Sequence, residues 1–149
     1  MSPSPQLLMT SLSGRESDNH VLSILKAAVG APTPEKLRAL AEEYQESARR
    51  HLFGLVLDQD LQCLIGVEQI NETELRIRHI ATSQAERNRG YGRTLIERVL
   101  SQFKADTIWA ETDDDAVGFY RRCGFNVESL GEQYPGVNRY RCTLRADTD

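Results

Sequence analysis

Apolar residues recur along the chain with two periods. Leu37, Leu40, Ala41, Tyr44 and Ala48 fall at i, i+3, i+4, i+7 and i+11, the stripe of an amphipathic helix. Just ahead, Thr33-Pro34-Glu35 supplies an N-cap, a first-turn proline and a dipole-favoured acid. An earlier helix is predicted from Ser17 or Asp18, burying Val21, Leu22, Leu25, Ala28 and Val29 until Gly30 and Pro32 stop it. A third stripe of Leu95, Ile96, Val99, Leu100 and Phe103 places a helix over about Gly92–Lys104.

Between these lie strand patterns. Gln6–Leu12 reads as a first edge strand, after a frayed Met1–Pro5. His51–Asp58 and Leu61–Ile70 are separated by a hairpin signal at Gln59-Asp60, and a turn at Asn71-Glu72 leads into Glu74–Thr82. Three short strands with tight turns make an antiparallel meander. In the third, alternation puts Arg76, Arg78 and Ile80 on one face and Leu75, Ile77 and His79 on the other. Thr107–Thr112 is another strand, holding the single tryptophan, Trp109. Asp113–Asp115 then supplies the acids of a helix running to Cys123, with Gly124 as its left-handed C′ residue. Phe125–Leu130 and Arg139–Leu144 are the last strands, linked through 131–138. This order predicts an α/β domain with a mixed sheet.

Length and composition narrow the class. A chain of 149 residues reads as one domain, 1–149, long enough to bury roughly 70% of its unfolded surface. The net charge of −4 argues against a general nucleic-acid binder, which carries a basic surface. No apolar run approaches the ~20 residues of a membrane span, and Met1–Gln6 lacks a signal-peptide profile. Cys63, Cys123 and Cys142 are odd in number and lack metal-type spacing, the pattern of reduced buried thiols in a cytoplasmic protein. His20, His51 and His79 are scattered, so no metal site is expected.

The most chemical stretch is Arg87-Asn88-Arg89-Gly90-Tyr91-Gly92-Arg93, where a strand hands over to the first turn of a helix. Glycines there permit a tight turn and close backbone approach, and unpaired N–H groups at the dipole's positive end favour an anion. The dinucleotide fingerprint fails because its third position is Leu95, and the P-loop lacks its Gly-Lys-Ser/Thr ending. Taken alone, the run is either a phosphate loop or a simple turn. Arg87-x-x-Gly90-x-Gly92, however, resembles the pyrophosphate loop of the GNAT superfamily of acetyl-CoA-dependent N-acyltransferases. A second stretch agrees: in 113–125, Ala116, Tyr120, Gly124 and Phe125 fall on the family pattern Asn-x-x-Ala-x-x-x-Tyr-x-x-x-Gly-Phe, with Asp113 replacing the usual Asn.

The resemblance, covering about Leu61–Phe125, implies a three-layer fold with a central, mostly antiparallel mixed sheet and about four helices. It implies acetyl-CoA as cosubstrate, no metal, and a small-molecule or peptide amine as acceptor. It implies that backbone groups of Ile80, Ala81 and Thr82 pair with the pantetheine arm. The loop Arg87, Asn88, Arg89, Gly90, Tyr91 and Gly92 would hold the diphosphate, and Asp113 stands where a cofactor contact is usual. A homodimer through the final strands is compatible with it.

Acyl transfer from a thioester to an amine needs a neutral amine, a stabilised oxyanion and a proton for the departing thiolate. A lysine-like amine of pKa ~10.4 is neutral in about one molecule in 2,500 at pH 7, a cost of about 4.6 kcal/mol that a base, a water relay or a desolvating pocket must offset. Tyr120, with an ordinary phenol pKa near ~10, is the expected general acid. For the base, Arg76 and Arg78 stand where the family often has a glutamate and cannot serve. Glu68 is the preferred substitute; Glu74 and a water chain stay open. If Arg76 and Arg78 face the cleft they favour an acidic acceptor, whereas Arg87, Arg89 and Arg93 meet either CoA phosphates or Glu86 and Glu97. Two further readings compete: an acyl-CoA-binding regulatory module without turnover, and a phosphate or nucleic-acid binder, which the acidic total disfavours.

Overall fold

The computed structural model describes residues 6–82 and 90–146. In chain order the elements are β1 (Leu7–Ser11), α1 (Asn19–Leu25), a 3₁₀ turn (Lys26–Ala28), α2 (Pro34–Glu46), β2 (Arg50–Leu57), β3 (Asp60–Gln69) and β4 (Glu74–Thr82). There follow α3 (Tyr91–Phe103), β5 (Thr107–Asp113), α4 (Val117–Arg122), β6 (Asn126–Tyr134) and β7 (Val137–Arg145). The strands form one mixed sheet of order β1-β2-β3-β4-β5-β7-β6, the architecture expected from the sequence. β4 and β5 run parallel, joined through α3, whereas β1–β2, β2–β3, β5–β7 and β6–β7 are antiparallel. The β3–β4 connection is too short for a parallel crossover. The chain divides into two compact units, Met1–Glu68 with Arg78–Val99, and Gln69–Ile77 with Leu100–Asp149.

In the first unit, α1 and α2 contribute Leu25, Leu37 and Tyr44 to a buried cluster with Leu12, Leu52 and Leu64 of the β1–β3 segment. The Thr33 hydroxyl accepts from Lys36 N–H at 3.2 Å, the expected cap of α2. The helix stops at Glu46, so Ala48 leaves the stripe and is exposed. Ser47 causes this, because its Oγ accepts from the N–H groups of Arg49 and Arg50 and turns the chain into β2. α1 is also shorter than expected: after Leu25 the backbone tightens into the 3₁₀ turn, and Val29 is already extended. The β2–β3 hairpin loop is Asp58-Gln59, one residue earlier than predicted. Both residues are left-handed (φ 51° and 73°), the geometry whose twist suits a two-residue hairpin closed by the Leu57–Asp60 pair.

In the second unit, α4 begins later than expected. Asp113 stays in β5 and its Oδ1 accepts from Asp115 N–H (3.0 Å) and Ala116 N–H (3.3 Å), so the carboxylate closes a turn before the helix. At the other end Phe125 N–H donates to Tyr120 O and Gly124 N–H to Arg121 O, both at 3.0 Å, the paired closure expected around Gly124 (φ 88°). β6 and β7 run further than predicted, with Pro135-Gly136 alone at the tip; a bulge between Ser129 and Gly131 keeps the ladder going through 131–134. Cys63, Cys123 and Cys142 are buried. Among the described residues no helix is long and apolar enough to cross a membrane.

Candidate active site

The last residues of β4 are placed by a ladder that stops short. The parallel pairing with β5 covers Glu74–Arg76 opposite Thr107–Trp109 and goes no further, although β4 continues to Thr82. Ala81 is buried and Ile80 and Thr82 half-buried, with the Thr82 hydroxyl 3.7 Å from Cys63 Sγ. Arg87, Asn88 and Arg89 of the expected loop lie outside the described residues. Gly90 stands immediately before α3 with φ 77°, a conformation costly to any residue carrying a Cβ. Its carbonyl accepts from Thr94 N–H (3.0 Å) and the Thr94 hydroxyl (3.1 Å), which fixes the start of the helix. Tyr91 and Gly92 are buried in its first turn.

Beside this segment lies a network the sequence did not disclose. Glu68, on β3, is within 3.6 Å of Arg50 Nε and 3.5 Å of Arg78 Nη1, and Arg50 Nη1 also meets Glu43 at 2.9 Å. The preferred base is therefore an ion-pair partner of two guanidinium groups. Tyr44 reaches from α2 across β3, and its hydroxyl is 2.6 Å from His79 Nδ1. Gly66 makes that path possible: any Cβ there would collide with the Tyr44 hydroxyl and ring. Burial, then Arg78 and Arg50, lower the His79 pKa to about 4, so the ring is neutral at pH 7. Burial raises the Tyr44 phenol well above its ordinary value.

Strict alternation does not survive in β4. Gly66 and Glu68 share one face of β3. Consecutive residues Arg78 and His79 nevertheless reach that same side, one to Glu68 and the other to Tyr44. His79 thus joins Arg78 rather than the opposite face expected for it.

In the second unit Tyr120 is 5% exposed on α4, its ring meeting Phe119 and Phe125 edge-on at 5.1 Å each. Burial, with Cys142 and Cys123 nearby, pushes its phenol above the ordinary range, so the proton stays on. The Glu74 carboxylate accepts from Trp109 Nε1 at 2.8 Å and is not free. Arg76 pairs with Glu111 at 3.7 Å, and its guanidinium and that of Arg141 lie over Trp109, 4.8 and 4.0 Å from the ring centroid. Each arginine of the Arg76/Arg78 pair has a glutamate beside it, which removes the charge argument for an acidic acceptor. Among the described residues no group of histidine, cysteine and acidic side chains could hold a metal.

A family model described as the acetyltransferase (GNAT) family matches residues 20–125. The chain belongs to the GNAT family. A Bacillus methanolicus protein, an uncharacterized N-acetyltransferase of the lysA 3′ region, is 32% identical over 63 residues, 42% of this chain and 52% of that one. The match thus spans about half the length of that relative. Among solved structures, a GNAT-family protein from Desulfovibrio desulfuricans superposes with TM-score 0.76 at 19% identity, over 94% of this chain and 99% of its own. A Bacillus subtilis acetyltransferase, solved in complex with CoA, gives TM-score 0.68 at 19% identity, over 95% and 100%. At that identity these two show a shared fold.

In this GNAT chain Tyr120 and the glycine turn are the site candidates that sequence suggests, whereas Tyr44, Gly66 and His79 carry no such signature. A usable signal existed: a glycine inside the apolar run Leu64-Ile65-Gly66-Val67 marks a place where something approaches the strand closely. What approaches it could not be read from the run.

Proposed function

We propose that this GNAT chain is a single-domain N-acetyltransferase that moves the acetyl group of acetyl-CoA to a primary amine, small-molecule or peptide, by direct attack and without an acyl-enzyme. The supporting observation is the early end of the β4–β5 ladder at Arg76, which leaves the later β4 backbone on that side outside the ladder. In this reading those groups at Ile80, Ala81 and Thr82 take the pantetheine arm, one N–H steadies the oxyanion, and Gly90 opens α3 toward the diphosphate. Asp113, committed to its own turn, keeps one carboxylate oxygen for the cofactor. Tyr120 donates to the departing thiolate; a phenol held protonated by burial is always in the form that role needs.

Thiol release with a panel of amines, together with thermal stabilisation by acetyl-CoA, tests this. Tyr120→Phe should lower kcat by about 10²-fold or more and leave acetyl-CoA affinity nearly unchanged. Equal turnover would remove the acid role. Gly90→Val should abolish cofactor binding, and wild-type affinity would reduce the loop to a turn. The engagement of Glu68 and Glu74 favours a second reading, an acyl-CoA-binding module without turnover. Stabilisation by acetyl-CoA with no thiol release on any amine would select it.

A further inference from the structure

His79 precedes the Ile80–Thr82 segment by one residue, and Tyr44 dictates which of its nitrogens carries hydrogen. The 2.6 Å contact joins the Tyr44 hydroxyl to Nδ1. A phenol O–H is the stronger donor and a neutral imidazole nitrogen the stronger acceptor, so the hydroxyl donates and Nδ1 accepts. The reverse arrangement would leave the phenolic hydrogen needing another acceptor, and no other hydrogen bond of that hydroxyl is found among the described residues. Neutral imidazole has one N–H, which must then sit on Nε2. No hydrogen bond of Nε2 is found among the described residues. The three atoms nearest to a Cβ at Gly66 are the Tyr44 hydroxyl and two of its ring carbons, so the strand leaves room for this phenol at that point. Arg50 and Arg78 face the ring, themselves paired with Glu43 and Glu68, and they disfavour a second proton on it.

We propose that His79, locked by Tyr44 in the Nε2–H form, is a catalytic residue of the acetyl transfer, donating a neutral hydrogen bond to the thioester oxygen as it becomes the oxyanion. This rests on the acetyltransferase reading above. The amine lone pair attacks the carbonyl carbon and the C=O π pair moves onto oxygen, where Nε2–H meets it. Collapse re-forms C=O and breaks C–S, with the bonding pair leaving on sulfur. Tyr120 protonates that sulfur, and the proton shed by the new amide nitrogen returns to Tyr120 through solvent. His79 keeps its single proton throughout. A neutral donor suits this step because it stabilises developing charge without first having to be protonated.

The two amide replacements of histidine separate the nitrogens. His79→Asn keeps an acceptor near the Nδ1 position, so the Tyr44 bond survives, but lacks the Nε2–H. His79→Gln keeps an N–H near the Nε2 position and gives up the Tyr44 bond. Thiol release and acetyl-CoA affinity are measured on wild type, both variants and Tyr44→Phe, with far-UV circular dichroism to show each is folded. The expected order is a kcat loss of about 10²-fold for His79→Asn, about 10-fold or less for His79→Gln, and an intermediate loss for Tyr44→Phe, with acetyl-CoA Kd within about twofold throughout. Wild-type turnover with His79→Asn undiminished, or with His79→Gln the worse of the two, overturns this role alone. A wild type that releases no thiol with any amine overturns the acetyl-transfer reading and this role with it.

Discussion

Gly66→Ala is the sharpest test of how Tyr44 is positioned. The new methyl would occupy space held by the Tyr44 hydroxyl and ring carbons, and those are the three atoms nearest to it. The phenol belongs to a side chain only 3% exposed, wedged in the core under α2, so it cannot swing aside freely. Overpacking of this kind costs about 1–3 kcal/mol. Losing the hydrogen bond to His79 adds about 1 kcal/mol, and a small offset comes from replacing a strand glycine. The net expectation is about 2–3 kcal/mol, a large share of the roughly 5–15 kcal/mol a domain has, and a drop in Tm of roughly 4–12 °C. Urea unfolding followed by circular dichroism measures it. Tyr44→Ala alone should cost about 3–5 kcal/mol. Once the ring is gone, Gly66→Ala should cost almost nothing, so the double variant should match Tyr44→Ala and the pair should couple by about 2–3 kcal/mol. The reasoning is refuted if Gly66→Ala lies within about 0.5 kcal/mol of wild type, or if the two costs simply add.

Three further outcomes are expected. The pKa of His79 is about 4 in the folded state against about 6.5 when unfolded, so the unfolded chain binds the extra proton first. Its contribution is complete above about pH 6.5 and lost as pH falls toward 4, by up to roughly 3 kcal/mol; His79→Asn should flatten stability over that window, and parallel curves for the two proteins would contradict this. Thr33→Ala removes the hydroxyl that accepts from Lys36 N–H and should cost about 1 kcal/mol, seen as a Tm lower by roughly 2–4 °C, with an unchanged Tm counting against the cap. Burial pushes the Cys63 thiol up to about 11, and all three cysteines are buried, so native protein should react slowly with DTNB near pH 8 and yield three thiols in guanidinium. Rapid native labelling of Cys63 would mean that β3 opens.

Residues close in sequence carried much of the fold. Thr33-Pro34-Glu35 with the stripe behind it specifies α2, because caps and helical periods are local properties that tertiary contacts reinforced here. The meander, the mixed sheet and the closure at Gly124 were legible for the same reason. The sequence also named the family, through a glycine turn and the Ala116-to-Phe125 pattern that the GNAT model match over residues 20–125 bears out. Element ends were less legible wherever a side chain competed with the backbone, as Ser47 does after α2 and Asp113 before α4.

Only the tertiary structure decided what surrounds β4. Tyr44 and His79 are 35 residues apart, and Gly66 is far from both in sequence, so no local pattern links them. Glu68 looked like a free carboxylate until Arg50 and Arg78 were found beside it, from different strands. His79 looked like a lone histidine on the wrong face until the strand's alternation broke between it and Arg78. Propensity and periodicity act over a few residues, whereas hydrogen-bond partners, burial and proton position depend on what the sheet and helices bring alongside.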